Sequence, residues 1–205
     1  YLTVVGISEE PTSVEVTVSA PTQAGVDLPA LEAGESLSVT LRAFDVLNLQ
    51  TRAPGADLTG SRVIAGGNIV VFGGSEAANV PNTNHCVEVD PVSGRGYCEY
   101  DPETSCRDNY DCNQALLNTC CADHIEQQLF PIKTWGQRYI ASKSFERGLE
   151  KDYWRILAAE DNTKVETNPP QEEIPTLNAG EWFEFGSADH FELISDKPVM
   201  VGQFL

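Results

Sequence analysis

The chain has 205 residues, 31 of them acidic and 13 basic, for a net charge of −18. Hydrophobic residues make up 41% and charged ones 21%, which is too apolar for a disordered segment, and no apolar run approaches the ~18 residues that a membrane-spanning helix needs. No stretch clusters Lys or Arg with interleaved aromatics, so the composition argues against nucleic acid as a partner and for a globular protein holding one substantial core or two small ones.

From the amino end, SVEVTVSA (13–20), SLSVTLRAF (36–44) and NIVVFGG (68–74) alternate apolar and polar residues between Gly, Pro and Asn turns. That period belongs to half-buried strands. Residues 1–80 are read as a first β unit whose faces Val14/Val16/Val18 and Leu37/Val39/Leu41 point inward. Residues 81–135 form an acidic, cysteine-rich connector with little strand signal. Its one helix-like stretch is ADHIEQQLF, where Ile125 and Leu129 are four apart and Pro131 ends the run. Strands return in a second β unit, 136–205, as DYWRILAAE, TKVET, EWFEFGS, HFELI and PVMVGQFL, with Trp182 and Phe185 assigned to its core face. Both ends of the chain fall on β-like apolar runs without a terminating turn, and no leader precedes Tyr1, which is expected of a mature fragment cut from a longer chain.

The two β units share an order of motifs. SVEV at 13 matches KVET at 164, LEAGESLSV at 31 matches LNAGEWFEF at 177, and SRVIAGGNIVVFGG at 61 matches FELISDKPVMVGQFL at 191. In each, A-G-E makes a tight turn, with Gly34 or Gly180 supplying the permissive backbone that launches an alternating strand. The fold predicted is all-β: duplicated antiparallel β-sandwich units with internal pseudo-symmetry, joined by a disulfide-rich connector.

The six cysteines, Cys86, Cys98, Cys106, Cys112, Cys120 and Cys121, all lie in the connector, as in a disulfide framework formed in an oxidising compartment. This places the protein outside the cell or on its surface. Paired C-x-x-C knuckles of a structural zinc site are missing, and the neighbours Cys120 and Cys121 must reach different partners because a vicinal bridge is strained. A bridge closing such a loop contributes about 3–4 kcal/mol on the chain-entropy view.

Three chemical readings compete around the doublet. Cys120 or Cys121 with His124 has the spacing of a nucleophile pair, but an even cysteine count argues that neither thiol is free. Asp123, His124 and Glu126 are metal-ligand types that do not share one face of a short helix, and a capping box accounts for Asp123 and Glu126. Calcium has a foothold in SCRDNYDCNQ, where Asp108, Asn109, Asp111 and Asn113 crowd oxygen ligands into a stapled loop without the twelve-residue EF-hand pattern. No cofactor is otherwise called for. Tyr97, Tyr100 and Tyr110 either form a contact surface or pack over the disulfides.

DLTGSRVIAGGNIVVFGG (57–74), His85-Cys86 and CADHIEQQLFPIKTWGQRYI (121–140) together resemble the amino-terminal domain of the IgGFc-binding protein family. The ordered signature is an L-T-G-S-R-V strand, a V-F-x-G strand, a cysteine shortly after, and C-x-D-H-x-E-Q ending in W-G-x-x-Y, here with one extra Gln before Leu129. The insert 87–119 departs from the family. Its C-R-D-N-Y-D-C text is more similar to knotted inserts of bacterial surface proteins, which favours a bacterial source and puts antibody binding in question.

The resemblance implies a non-enzymatic extracellular binding or adhesion module of a larger cell-surface or secreted protein, with a protein or glycan ligand and no membrane insertion of its own. It supports pairing Cys86 with Cys121, leaving Cys98, Cys106, Cys112 and Cys120 to staple the insert. On the same ground His124 and Glu126 become a buried polar pair, and Trp135-Gly136 a corner feeding the second unit through Tyr139 and Ile140. The alternatives are a secreted hydrolase using carboxylates or Cys120/His124, and a passive structural spacer.

Overall fold

Alternation dictates the strands found in the computed structural model, which describes residues 1–53, 55–78, 86–87, 90–98, 101–106, 123–145 and 151–204. In chain order they are β1 (Leu2–Gly6), β2 (Thr12–Thr17), β3 (Ser36–Leu41), β4 (Val46–Leu49), β5 (Arg62–Ala65), β6 (Ile69–Ala78), β7 (Cys86–Val87), β8 (Gly96–Cys98), β9 (Asp101–Cys106), β10 (Asp123–Gln128), β11 (Gly136–Ala141), β12 (Asp152–Ala158), β13 (Val165–Asn168), β14 (Trp182–Ser187) and β15 (Phe191–Phe204). A 3-10 turn at Ile132–Thr134 is the one helical element among the described residues. The protein is all-β, built of several antiparallel sheets.

The chain divides into two compact bodies, Tyr1–Gly74 with Glu126–Leu205, and Ser75–Ile125. In the larger body, β2 pairs with β3 and β5, while β1 lies between β4 and β6. Their inner faces meet in a core of Leu2, Val4, Val14, Val16, Val18, Leu31, Leu41, Leu47 and Leu49. Val4, Val14, Val16 and Val18 are almost fully buried, each contributing about 1.5–3 kcal/mol by leaving water. A second core gathers Trp154, Ile156 and Ala158 of β12 with Phe185 of β14, Phe191, Leu193 and Val199 of β15, and Ala141 of β11. The long strand β15 serves β11, β12 and β13 along its length.

The smaller body carries the three-stranded sheet β7-β8-β9, in a region that the sequence read as poor in strands. Its register places Cys86 opposite Cys98 and Gly96 opposite Cys106. Cys106 is buried and disulfide-bonded, and no described cysteine is free.

Three expectations need correction. ADHIEQQLF is not a helix: Asp123–Gln128 is the strand β10, and Leu129 N–H donates to Val71 O at 2.8 Å. Trp182 is not on the core face of β14, since it lies an odd number of residues from Phe185; the inward face is Phe183, Phe185 and Ser187. KVET does not correspond in place to SVEV. Its Val165–Thr167 lie in the short strand β13 on β15, whereas SVEV lies in β2 between β3 and β5. Gly34 N–H donates to Val18 O and Val18 N–H to Glu35 O, just as Gly180 N–H donates to Ala158 O and Ala158 N–H to Glu181 O.

Gly34, Gly60 and Gly180 all have left-handed backbones, with φ of 86°, 91° and 83°. Gly34 has open space where a Cβ would stand, but a Cβ on Gly60 would lie 2.2 Å from Gly180 O. Gly34→Ala should therefore lose only the backbone term, about 1 kcal/mol. Gly60→Ala should lose at least twice as much, about 2–4 kcal/mol, because the two glycine backbones cannot separate without breaking the turn. Urea unfolding of the two variants checks this; equal losses would show that the Gly60–Gly180 approach is slack.

Candidate functional site

Strand β12 buries every second side chain, so Arg155 leaves the core between Trp154 and Ile156. It is nevertheless held tightly. Its Nη1 donates to Asp57 Oδ2 at 2.7 Å and to Thr59 Oγ1 at 2.8 Å, its Nε donates to Glu184 Oε2 at 2.9 Å, and its Nη2 lies 2.8 Å from the same oxygen. The guanidinium carbon sits 4.1 Å from the Trp182 ring centroid and 5.3 Å from that of Phe204. Only 14% of the arginine side chain and 12% of Glu184 remain exposed, so this is a largely desolvated ion cluster.

Asp57 belongs to the loop before β5, 98 residues from its partner. Burial alone would push its carboxyl up. The Arg155 charge, the Thr59 hydroxyl and N–H, and the Arg155 hydrogen bond together outweigh that and hold it below the ordinary carboxylate value of 3.8. Beside the clamp, the backbones of Gly60 and Gly180 touch, and the A-G-E turn aims Trp182 outward. Ser19, Asp57, Thr59, Thr176, Glu181 and Trp182 line a shallow cavity of about 490 Å³ at this junction. It is an open hollow bordered by Trp182 together with hydroxyls and carboxylates.

A second polar group lies at the far end of β12. Asp152 is buried and accepts from Ser144 N–H and Oγ, both at 2.6 Å, and from Gln203 Nε2 at 2.9 Å. Burial pushes this carboxyl up, yet the Ser144 and Gln203 hydrogen bonds and the Lys143 charge leave it below the ordinary value. His190 Nδ1 accepts the Lys143 N–H at 3.1 Å and lies 3.4 Å from Ser142 Oγ. Ser144 thus gives its proton to a carboxylate and His190 faces another serine, so these hydroxyls pin a loop and do not form a nucleophile relay.

The residues singled out from sequence fall elsewhere. Asp108, Asn109 and Asp111, the calcium candidates, and Cys112, Cys120 and Cys121 lie outside the described residues. Asp123, His124 and Glu126 are exposed along β10, not buried beneath a connector; the Asp123 carboxylate accepts the His124 N–H at 2.8 Å within a strand, so no capping box forms. Trp135 Nε1 donates to Phe130 O, and Gly136 N–H donates to Tyr139 Oη at 2.8 Å, making the corner that opens β11. Arg155, Asp57 and Glu184 carried no signal in the sequence beyond their charge.

A family model described as IgGFc binding protein matches residues 1–93 and 106–205. The chain belongs to this family. No curated protein and no solved structure matches it. The IgGFc-binding family is one of extracellular binding domains and not of catalysts, and among the described residues no helix is long and apolar enough to cross a membrane.

Removing Arg155 leaves two carboxylates close together with no counter-charge. Arg155→Met should cost about 3–5 kcal/mol at neutral pH. Asp57 is depressed in the folded protein, so its pairing stabilises above the unfolded carboxylate value and is lost as pH falls through the folded one. In the variant, acid instead relieves the unpaired carboxylates. The gap between wild type and variant in urea unfolding should therefore narrow from neutral pH to about pH 4; a gap independent of pH would mean that Arg155 acts by packing alone.

Proposed function

We propose that this chain is a non-enzymatic adhesion module of a larger cell-surface or secreted protein, and that it recognises a protein ligand. The observation that carries the reading is the family match, which spans both β units and leaves out only residues 94–105. A second support is an exposed apolar tip. Phe44, in the turn between β3 and β4, has a left-handed backbone (φ 70°) and is 85% exposed, with Ile7 and Val46 also exposed close by. A bulky residue in that conformation has a strain cost that the fold does not recover by burying it, which favours a contact role.

We also read the two β units as copies of one unit. Leu31 and Leu177 are buried in matching turns, Glu35 and Glu181 carboxylates accept the Glu32 and Asn178 N–H at 2.8 and 2.7 Å, and Thr22 and Thr163 N–H donate to Leu31 O and Leu177 O. The Cys86–Cys121 pairing belongs to the same proposal, as a clasp closing the cysteine-rich region.

Beads coated with the chain should adhere to mucin-coated or cell-coated surfaces above the level of beads carrying an unrelated protein of equal negative charge. Phe44→Asp should reduce adhesion at least fivefold with an unchanged melting temperature. Soluble immunoglobulin Fc competes if it is the ligand. Adhesion no better than the charge-matched control would overturn the reading in favour of a passive spacer.

A further inference from the structure

The two β units are flanked differently, and the difference points to a docking edge. In the first, β1 has a strand on either side. Gly6 N–H donates to Asp45 O on the β4 side, whereas Ile7 N–H donates to Asn68 O and Tyr1 O accepts from Gly74 on the β6 side. Even residues of β1 thus face β4 and odd ones face β6. In the second, β11 ends its sheet in the order β11-β15-β12-β14, and no described strand lies on its outer side.

The orientation of that edge follows from β15. Asp196 N–H donates to Lys164 O on the β13 side, so Glu192 and Ile194 face β13, and Phe191 and Leu193 face β11. Their partners Tyr139 and Ala141 are spent on the β15 ladder. The N–H and C=O groups of Arg138 and Ile140 point outward. Gln23 N–H donates to Gln50 O where Lys164 O accepts from Asp196 N–H, which sets Leu193 in the place of Leu47; Tyr139 then takes the register position of Val4, Ala141 that of Gly6, and Ile140 that of Val5, which β6 pairs through Val70. Ile140 is also 77% exposed, and Ile194, diagonal to it across the pair, is 45% exposed.

We infer that the outer edge of β11 accepts an extended segment of a partner polypeptide, added antiparallel as β6 is added to β1. The inference rests on the duplicated reading of the two units. It specifies the guest: one β-branched residue opposite Tyr139 and another opposite the small Ala141, as Val71 and Ile69 of β6 stand opposite Val4 and Gly6. Main-chain hydrogen bonds supply the affinity and these two positions the selectivity. The exposed charge of Arg138 and the register shift between Gly136 and Arg138 shorten the usable edge and limit indiscriminate pairing.

The probe is a fluorescent peptide of residues 68–78, NIVVFGGSEAA, titrated into the full chain and followed by anisotropy. Saturable binding is expected, weakened at least tenfold by Ile140→Pro, which removes an outward N–H and leaves the β15 ladder intact. Val70 and Phe72 of β6 face β1, so N-methylation of the peptide at these two positions should abolish binding, and N-methylation at Val71 should not. Absence of binding by the unmodified peptide, or binding unaffected by either change, overturns the proposal. Self-association of the chain that Ile140→Pro abolishes would assign the edge to a second copy and overturn it as well. Adhesion by the Ile140→Pro chain, measured on beads, separates failure here from failure of the adhesion reading.

Discussion

The arginine clamp is the constraint on which the larger body depends, because it ties the loop before β5 to β12 and β14. Arg155 and Asp57 are 98 residues apart in the chain, and the desolvation of three charges is offset only because one planar guanidinium satisfies both carboxylates and stacks between Trp182 and Phe204. A lysine would offer a single point charge and no plane. The close approach of Gly60 and Gly180 is the steric counterpart of the same constraint: the loop 57–60 is held against β12 and β14 by charge, and only residues without Cβ let it lie there.

In a chain of net charge −18 this use of a basic residue matters, because self-repulsion works against compactness everywhere else. Asp57 and Asp152 are both held below the ordinary carboxylate value by specific donors. Each therefore stabilises the fold at neutral pH and stops doing so as acid protonates it. The exposed Arg52–Glu32 pair at 2.7 Å contributes little by comparison, since water screens it and both side chains are about half exposed. The Trp154 Nε1–H, buried without a hydrogen-bond partner among the described residues, works the other way, at a cost of about 1–3 kcal/mol. Its ring is held edge-on against Phe191 at 5.3 Å, so packing retains it where hydrogen bonding does not.

Strand alternation was readable because burial on one face imposes a period of two, and SVEVTVSA and SLSVTLRAF became β2 and β3 with the inward residues expected. ADHIEQQLF misled for a physical reason: a spacing of four between Ile125 and Leu129 satisfies a helix and, being even, a strand as well, and only the hydrogen-bonding neighbour decides. The match of KVET to SVEV rested on residue type, while the two stretches pair with different neighbours, β13 with β15 and β2 with β3 and β5. Arg155 was invisible because a charged residue at an outward strand position reads as solvated; its partners are distant in sequence, and Trp182 looked apolar enough for the core. The family was legible from its ordered motifs, yet His124 and Glu126, prominent in them, turn out to lie on an exposed strand.

On the duplicated reading, what the two units share is what the fold needs: the Gly turns, the buried leucines after them and the central strands β2 and β12. What they do not share lies at the periphery. The hairpin of the first unit presents Phe44 at its tip, and the hairpin 188–190 in the second presents Ala188, Asp189 and His190. The first unit fills its flank with β6, and the second leaves β11 as the last strand of its sheet. Since a common scaffold tolerates both versions of each feature, neither an exposed Phe nor a bare edge is required for folding. Features that folding does not demand, and that have a cost in strain or in unpaired main-chain groups, are where recognition in this family member is most economically placed.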